Sequence, residues 1–181
     1  GAFVVWVELA ATLVGFHYAV SVVIVCIAAA YLVRMYEAPG PRERAVPAAF
    51  LGVAHLTSLV LAITVFVGIL TTAAGPHSGD ENVVRDGFDA SLLAHLHSWP
   101  GYILLGLVIL LTIWAIAQRL RPRAWLIALL AGLILQIAVG VYQSRTGLPV
   151  LAVGVHMVFA ALTSAAMTVV ILRLKRPVTQ S

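Results

Sequence analysis

The chain has 181 residues, of which 62% are hydrophobic and only 10% charged, with a mean hydropathy of +1.05. Soluble domains carry about 25% charged residues, so this composition excludes a water-soluble domain and describes a membrane protein. The formal charge of +4 invites a nucleic-acid reading. Its distribution along the chain supports a membrane topology instead, and no nucleic-acid partner is expected.

In chain order, residues 1–9 read as the outer end of a helix whose beginning precedes residue 1. Four complete spans follow at about 11–34, 48–74, 91–118 and 123–142, and a fifth at about 150–172. Each is near the roughly 20 residues needed to cross the hydrocarbon core. The links EAPGPRERAVP at 37–47 and RLRPR at 119–123 use Pro and Gly to stop helices and arginines to hold the headgroup region. The one long loop, AAGPHSGDENVVRDGFDAS, is acidic. Putting 34–44, 119–123 and 173–176 on one side collects nine of the eleven basic residues there. Arg85 and Arg145 remain opposite, with Glu8, Asp80, Glu81, Asp86 and Asp89, five of the seven acids. The positive-inside bias then makes the C-terminus cytoplasmic and the loop 75–90 extracytoplasmic, in a multi-pass protein of a cell membrane. Cys26 is the sole cysteine and sits mid-helix, so no intrachain disulfide forms.

Two stretches 139 positions apart share a histidine-centred pattern. Residues 1–21 (GAFVVWVELAATLVGFHYAVS) align without a gap on 140–160 (GVYQSRTGLPVLAVGVHMVFA). Gly1 then matches Gly140, Leu9 matches Leu148, and Val14-Gly15-x-His17 matches Val153-Gly154-x-His156. Histidine is costly in a lipid-facing helix, and two at one depth point to two equivalent sites in a duplicated architecture. His97 and His156 each lie about six residues into spans that enter from the same side. At about 1.5 Å per residue both sit roughly 9 Å below their helix starts. Imidazoles at equal depth on parallel-running helices suit the two axial positions of a heme held within an all-α, four-helix bundle repeat. The plainer alternative is a pair of polar residues bonding across helices. By the repeat, His17 ligates a second group in the first half.

The other histidines invite plainer readings. His95, two residues from His97, faces elsewhere on its helix. His55 sits near the inner end of its span, where a helix–helix hydrogen bond is expected. His77 belongs to the outer GPHSGD turn and is a candidate for the cofactor edge. Gly68, Gly75, Gly132, Gly140 and Gly154 offer close approach to a backbone or a flat ring. Gln136 and Gly140 form a QxxxG face on the fourth span.

Taken together, GILTTAAGPHSGD at 68–80, LLAHLHSW at 92–99, LQIAVG at 135–140 and LPVLAVGVH at 148–156 resemble the heme A synthase family, its actinobacterial members above all. The resemblance covers nearly the whole chain and rests on the order and spacing of the motifs. It implies eight spans in two four-helix halves. Residues 1–36 would be the end of the third span and the fourth, 37–48 a cytoplasmic linker, 49–176 the C-terminal heme-binding half and 177–181 a cytoplasmic tail. It further implies heme b held by His97 and His156, and substrate heme O, whose iron meets His17. The methyl group of heme O would be oxidised to the formyl of heme A, which supplies heme-copper oxidases. Implied partners are the bilayer, heme O synthase, an electron donor and a second copy of the chain. The chain departs from the family in having no cysteine pair in 75–90 and Ser98 where an arginine often follows the histidine. The family's catalytic glutamate precedes the N-half histidine and would lie before residue 1. Glu8 is not its equivalent, so these residues alone are expected to be inactive. Rival readings are a heme b electron-transfer cytochrome and a cofactor-free transport or assembly protein.

Overall fold

Uninterrupted apolar sequence decides the secondary structure. Without water, every backbone N–H and C=O has to bond within the protein, and a helix achieves this inside one segment. The computed structural model describes residues 1–6, 11–74 and 90–178. A short helix, α1 (Ala2–Trp6), precedes α2 (Ala11–Met35), α3 (Ala48–Ala74), α4 (Ala90–Ala117), α5 (Arg123–Arg145) and α6 (Val150–Arg173). Helices α2 to α6 are each long and apolar enough to cross a membrane. The protein is an all-α, multi-pass membrane protein, and its helices follow the spans expected from hydropathy.

Spacing of the buried residues determines how these helices associate. On α3 the core positions are Phe50, Ala54, Thr57, Leu61 and Thr64, and on α4 they are Leu104, Val108, Leu111 and Ala115. On α5 they are Leu126, Leu129, Leu133 and Gln136, and on α6 Ala160, Thr163, Met167 and Val170. Every series alternates steps of three and four, the 3.5-residue seam of a left-handed bundle. Successive helices pack antiparallel: Gly68 lies beside His97 while Gly101 lies beside Thr64. Contacts between α3 and α4, α4 and α5, α5 and α6, and α3 and α6 close a four-helix bundle. Within lipid this seam is held by close packing rather than by escape from water. Phe50, fully buried, meets Trp114 edge-on with centroids 5.3 Å apart. The buried hydroxyls of Thr57, Thr64, Thr112, Thr163 and Ser164 each donate to the carbonyl four residues earlier. Their polarity is thereby satisfied inside their own helices.

Helix α2 stands outside the bundle, against α6 and α3. Only 11% of its apolar window is buried, and Phe16, Val23, Ile24 and Ile27 face outwards. Its polar tie to the bundle is the Tyr18 hydroxyl, which donates to the Met157 carbonyl at 2.6 Å. Tyr18 and Met157 occupy matched positions of the sequence repeat, so its two copies touch at equivalent points.

At the other end of the helices lies an element that the sequence did not announce. Strand β1 (Arg42–Arg44), in the α2–α3 link, pairs antiparallel with β2 (Lys175–Pro177) after α6, with Arg42 opposite Pro177 and Arg44 opposite Lys175. Beside this ribbon, Glu37 is the shared partner of Arg34, Arg42, Arg121 and Arg173. Burial pushes its carboxyl up, but the hydrogen bonds and charges of Arg42 and Arg121 outweigh that and hold it below the usual carboxylate range.

Candidate functional site

The core seam does not stop at its last apolar residue. Continuing the three-and-four spacing towards the end opposite the ribbon leads from Thr64 to Gly68 on α3 and from Leu104 to His97 on α4. It leads from Gln136 to Gly140 on α5 and from Ala160 to His156 on α6. Two histidines and two glycines thus share one level of the bundle. Glycine faces histidine within each helix hairpin.

The two hairpins treat their histidines alike. His97 Nδ1 lies 3.0 Å from the Thr64 carbonyl oxygen, and His156 Nδ1 lies 3.1 Å from that of Gln136. A carbonyl only accepts, so each Nδ1–H donates and each Nε2 keeps its lone pair. This is the second-shell device that fixes the tautomer and orientation of a ligating histidine. The glycines make room for it. A methyl on Gly68 would lie 2.7 Å from His97 Cε1, and one on Gly140 3.0 Å from His156 Cε1. Both acceptor carbonyls sit four residues before the glycine on the same helix, so each helix offers a carbonyl and a notch one turn apart.

Between the hairpins the imidazole centroids are 6.1 Å apart and the ring planes are inclined at 80°. His97 and His156 would be the residues to hold a metal between the hairpins, each through the Nε2 that its Nδ1 bond leaves free. Among the described residues no group of three or more His, Cys, Asp or Glu side chains could hold an ion. The pair would supply two neutral nitrogen donors, the contribution that a metal already held in a macrocycle would need from the protein. The adjoining cavity, about 80 Å³, is lined among others by Tyr18, Thr72, Gln143 and Met157. Gln143 Oε1 is buried there without a hydrogen-bond partner. Gln136 serves twice: its carbonyl orients His156, and its side-chain oxygen lies 2.9 Å from the Thr163 hydroxyl, whose one proton it shares with the Phe159 carbonyl.

The remaining candidates lie elsewhere. His17 is exposed on α2, outside the cavity that its neighbour Tyr18 lines. His55 is also exposed and makes no hydrogen bond to another helix among the described residues, contrary to the expected bond; it points outwards from the bundle seam. His95 is exposed, as its spacing from His97 requires, and its carbonyl accepts from Ser98 Oγ at 2.9 Å. His77, Gly75 and Glu8 fall outside the described residues. Gly132 and Gly154 face open space, so the expectation of close approach fails there and holds at Gly68 and Gly140. Sequence reasoning missed Thr64, although it stands four residues before Gly68 as Gln136 does before Gly140. It also missed Tyr18 and Gln143. No family model matches the chain, and no curated protein or solved structure matches it.

Proposed function

We propose that the chain binds heme b through His97 and His156 and serves a heme A synthase-type oxidoreductase. That enzyme oxidises the methyl group of heme O to the formyl group of heme A for heme-copper oxidase biogenesis. The observation that carries the heme reading is the facing histidine pair: 6.1 Å between rings, with each Nδ1 directed to a backbone carbonyl. The pair carries it rather than cavity size, because the enclosed space of about 80 Å³ is smaller than a porphyrin. Bound heme b supplies one-electron redox chemistry. The chain's own residues prepare for it: Thr64 and Gln136 carbonyls fix the rings, Gly68 and Gly140 admit them, and the apolar seam below keeps water out. The synthase reading rests on the motif resemblance, which places substrate heme O at His17. In this reading the arginine-rich end is cytoplasmic in a bacterial membrane. Heme O synthase and an electron donor are its partners.

Each of His97→Ala and His156→Ala should abolish the low-spin bis-histidine absorption of the purified protein, while His55→Ala keeps it. An unchanged spectrum in His156→Ala would overturn the assignment. One observation favours a second reading, an electron-transfer cytochrome: the His97/His156 pair is complete without His17. Heme extracted from cells making the protein separates the two. Formylated heme supports the synthase, and heme b alone supports the cytochrome.

A further inference from the structure

At the ribbon end, four guanidiniums surround one carboxylate. Glu37, whose side chain is 5% exposed, meets Arg121 at 2.6 Å, Arg34 at 3.3 Å and Arg173 at 4.0 Å, with Arg42 in hydrogen-bonding contact. Four cations against one anion leave an excess of three positive charges in a single cluster. Each guanidinium has five N–H donors and no acceptor, so the shared carboxylate leaves most of this donor capacity unused. Arg173 Nε, the atom 4.0 Å from Glu37 Oε1, is buried and too far from that carboxylate for a hydrogen bond. Such a group is costly unless an acceptor reaches it.

A second observation lies on the ribbon. Arg44 and Lys175 stand directly opposite each other across β1 and β2, and both are exposed. Like charges in that position destabilise a strand pair. Neither has an ion-pair partner among the described residues. An anion over this end would offset the repulsion and satisfy Arg173 together.

The surroundings indicate which anion. The cluster sits where α2 and α6 end and α5 begins, at the boundary of five apolar spans. Beside it Leu32, Met35 and Tyr36 are exposed at the end of α2. A free phosphate gains nothing from that apolar flank, whereas a lipid places its acyl chains there and its headgroup among the arginines. We propose that the cluster of Arg34, Arg42, Arg121 and Arg173, with the Arg44–Lys175 pair, binds the phosphate of an anionic phospholipid.

Native mass spectrometry of the full chain, purified in detergent and titrated with phosphatidylglycerol or phosphatidylcholine, tests this. Phosphatidylglycerol should be retained in preference, and Arg173→Gln should weaken retention about five-fold, the effect of about one interfacial charge. The double variant Arg44→Gln with Lys175→Gln, confined to the exposed ribbon, should weaken it further and provides the test if Arg173→Gln fails to fold. Arg145→Gln, at the opposite end of α5, should change nothing. Equal retention of the two lipids, or an equal loss in Arg145→Gln, would overturn the site. Displacement of phosphatidylglycerol by millimolar inorganic phosphate would overturn the lipid assignment in favour of a free-anion site.

Discussion

A methyl group at Gly68 would lie 2.7 Å from His97 Cε1, a distance that real side chains do not tolerate. Either the imidazole leaves the Thr64 carbonyl or α3 and α4 separate, and overpacking of this kind costs about 1–3 kcal/mol. Gly68→Ala should therefore lower both the thermal midpoint and the fraction of low-spin heme retained through purification. Gly140→Ala should act in the same direction but more mildly, since its contact is 3.0 Å. Gly132→Ala meets open space and gains up to about 1 kcal/mol of helix propensity, so it should cost nothing. If Gly68→Ala matches Gly132→Ala in stability and spectrum, the notch is not needed. The sequence was informative at this scale about depth, because the rise per residue is fixed and placed His97 and His156 level. It was uninformative about rotation, and rotation separates Gly68 from Gly132. The carbonyls of Thr64 and Gln136 were invisible too, because a backbone acceptor leaves no trace in residue type.

Among the elements, the β1–β2 ribbon and the Glu37 cluster tie the α2–α3 link to the ends of α4 and α6. The Arg121 guanidinium bridges them, donating both to Glu37 and to the Lys175 carbonyl. Glu37→Gln removes the one anion from this group, at a cost of about 1.5–3 kcal/mol, the range for a hydrogen bond to a charged group. The sign of the pH dependence follows from the lowered carboxyl. Its contribution is complete above the unfolded carboxylate value of about 4.3 and is lost as pH falls through the lower folded value. Thermal midpoints taken from pH 7 down to 3.5 should show the wild type losing its advantage over Glu37→Gln only below about pH 4.3. A constant difference across that range would remove Glu37 from its central role. Hydropathy marks helices reliably because lipid leaves the backbone no other solution. The ribbon escaped notice because RER and KRP are three residues each, do not alternate, and pair over more than a hundred positions. The available clue was charge: Glu37 and Glu43 are the only acids among the nine bases of that side.

Across the whole molecule, the proposed orientation rests on charge asymmetry and the proposed division of labour on the repeat. In a Cys26→Ala background, a cysteine at Thr146 should react with a membrane-impermeant thiol reagent on intact cells and one at Gln118 should not. The two exposed positions lie at opposite ends of α4 and α5, and reversed labelling would invert the proposed topology. His17 stands apart from the His97/His156 pair, on α2. In cells, His17→Ala should leave heme b bound with a near-normal spectrum. The ratio of heme A to heme O should fall by about two orders of magnitude, because a misplaced substrate loses its orientation. Loss of heme b in His17→Ala with continued heme A production would refute the two-site reading.

The bond from Tyr18 to Met157 also sets an order of assembly. Helix α2 packs mainly on α6, and more than a hundred residues separate the two in the chain. During synthesis α2 reaches the bilayer before α6, yet the surface that receives it is completed only when α6 inserts. Until then α3 is its only neighbour among α3 to α6, and the Tyr18 hydroxyl lacks its final acceptor. A ribosome stalled before residue 150 should therefore leave α2 open to crosslinking by lipid-soluble probes, and synthesis continued past α6 should shield its Tyr18 face.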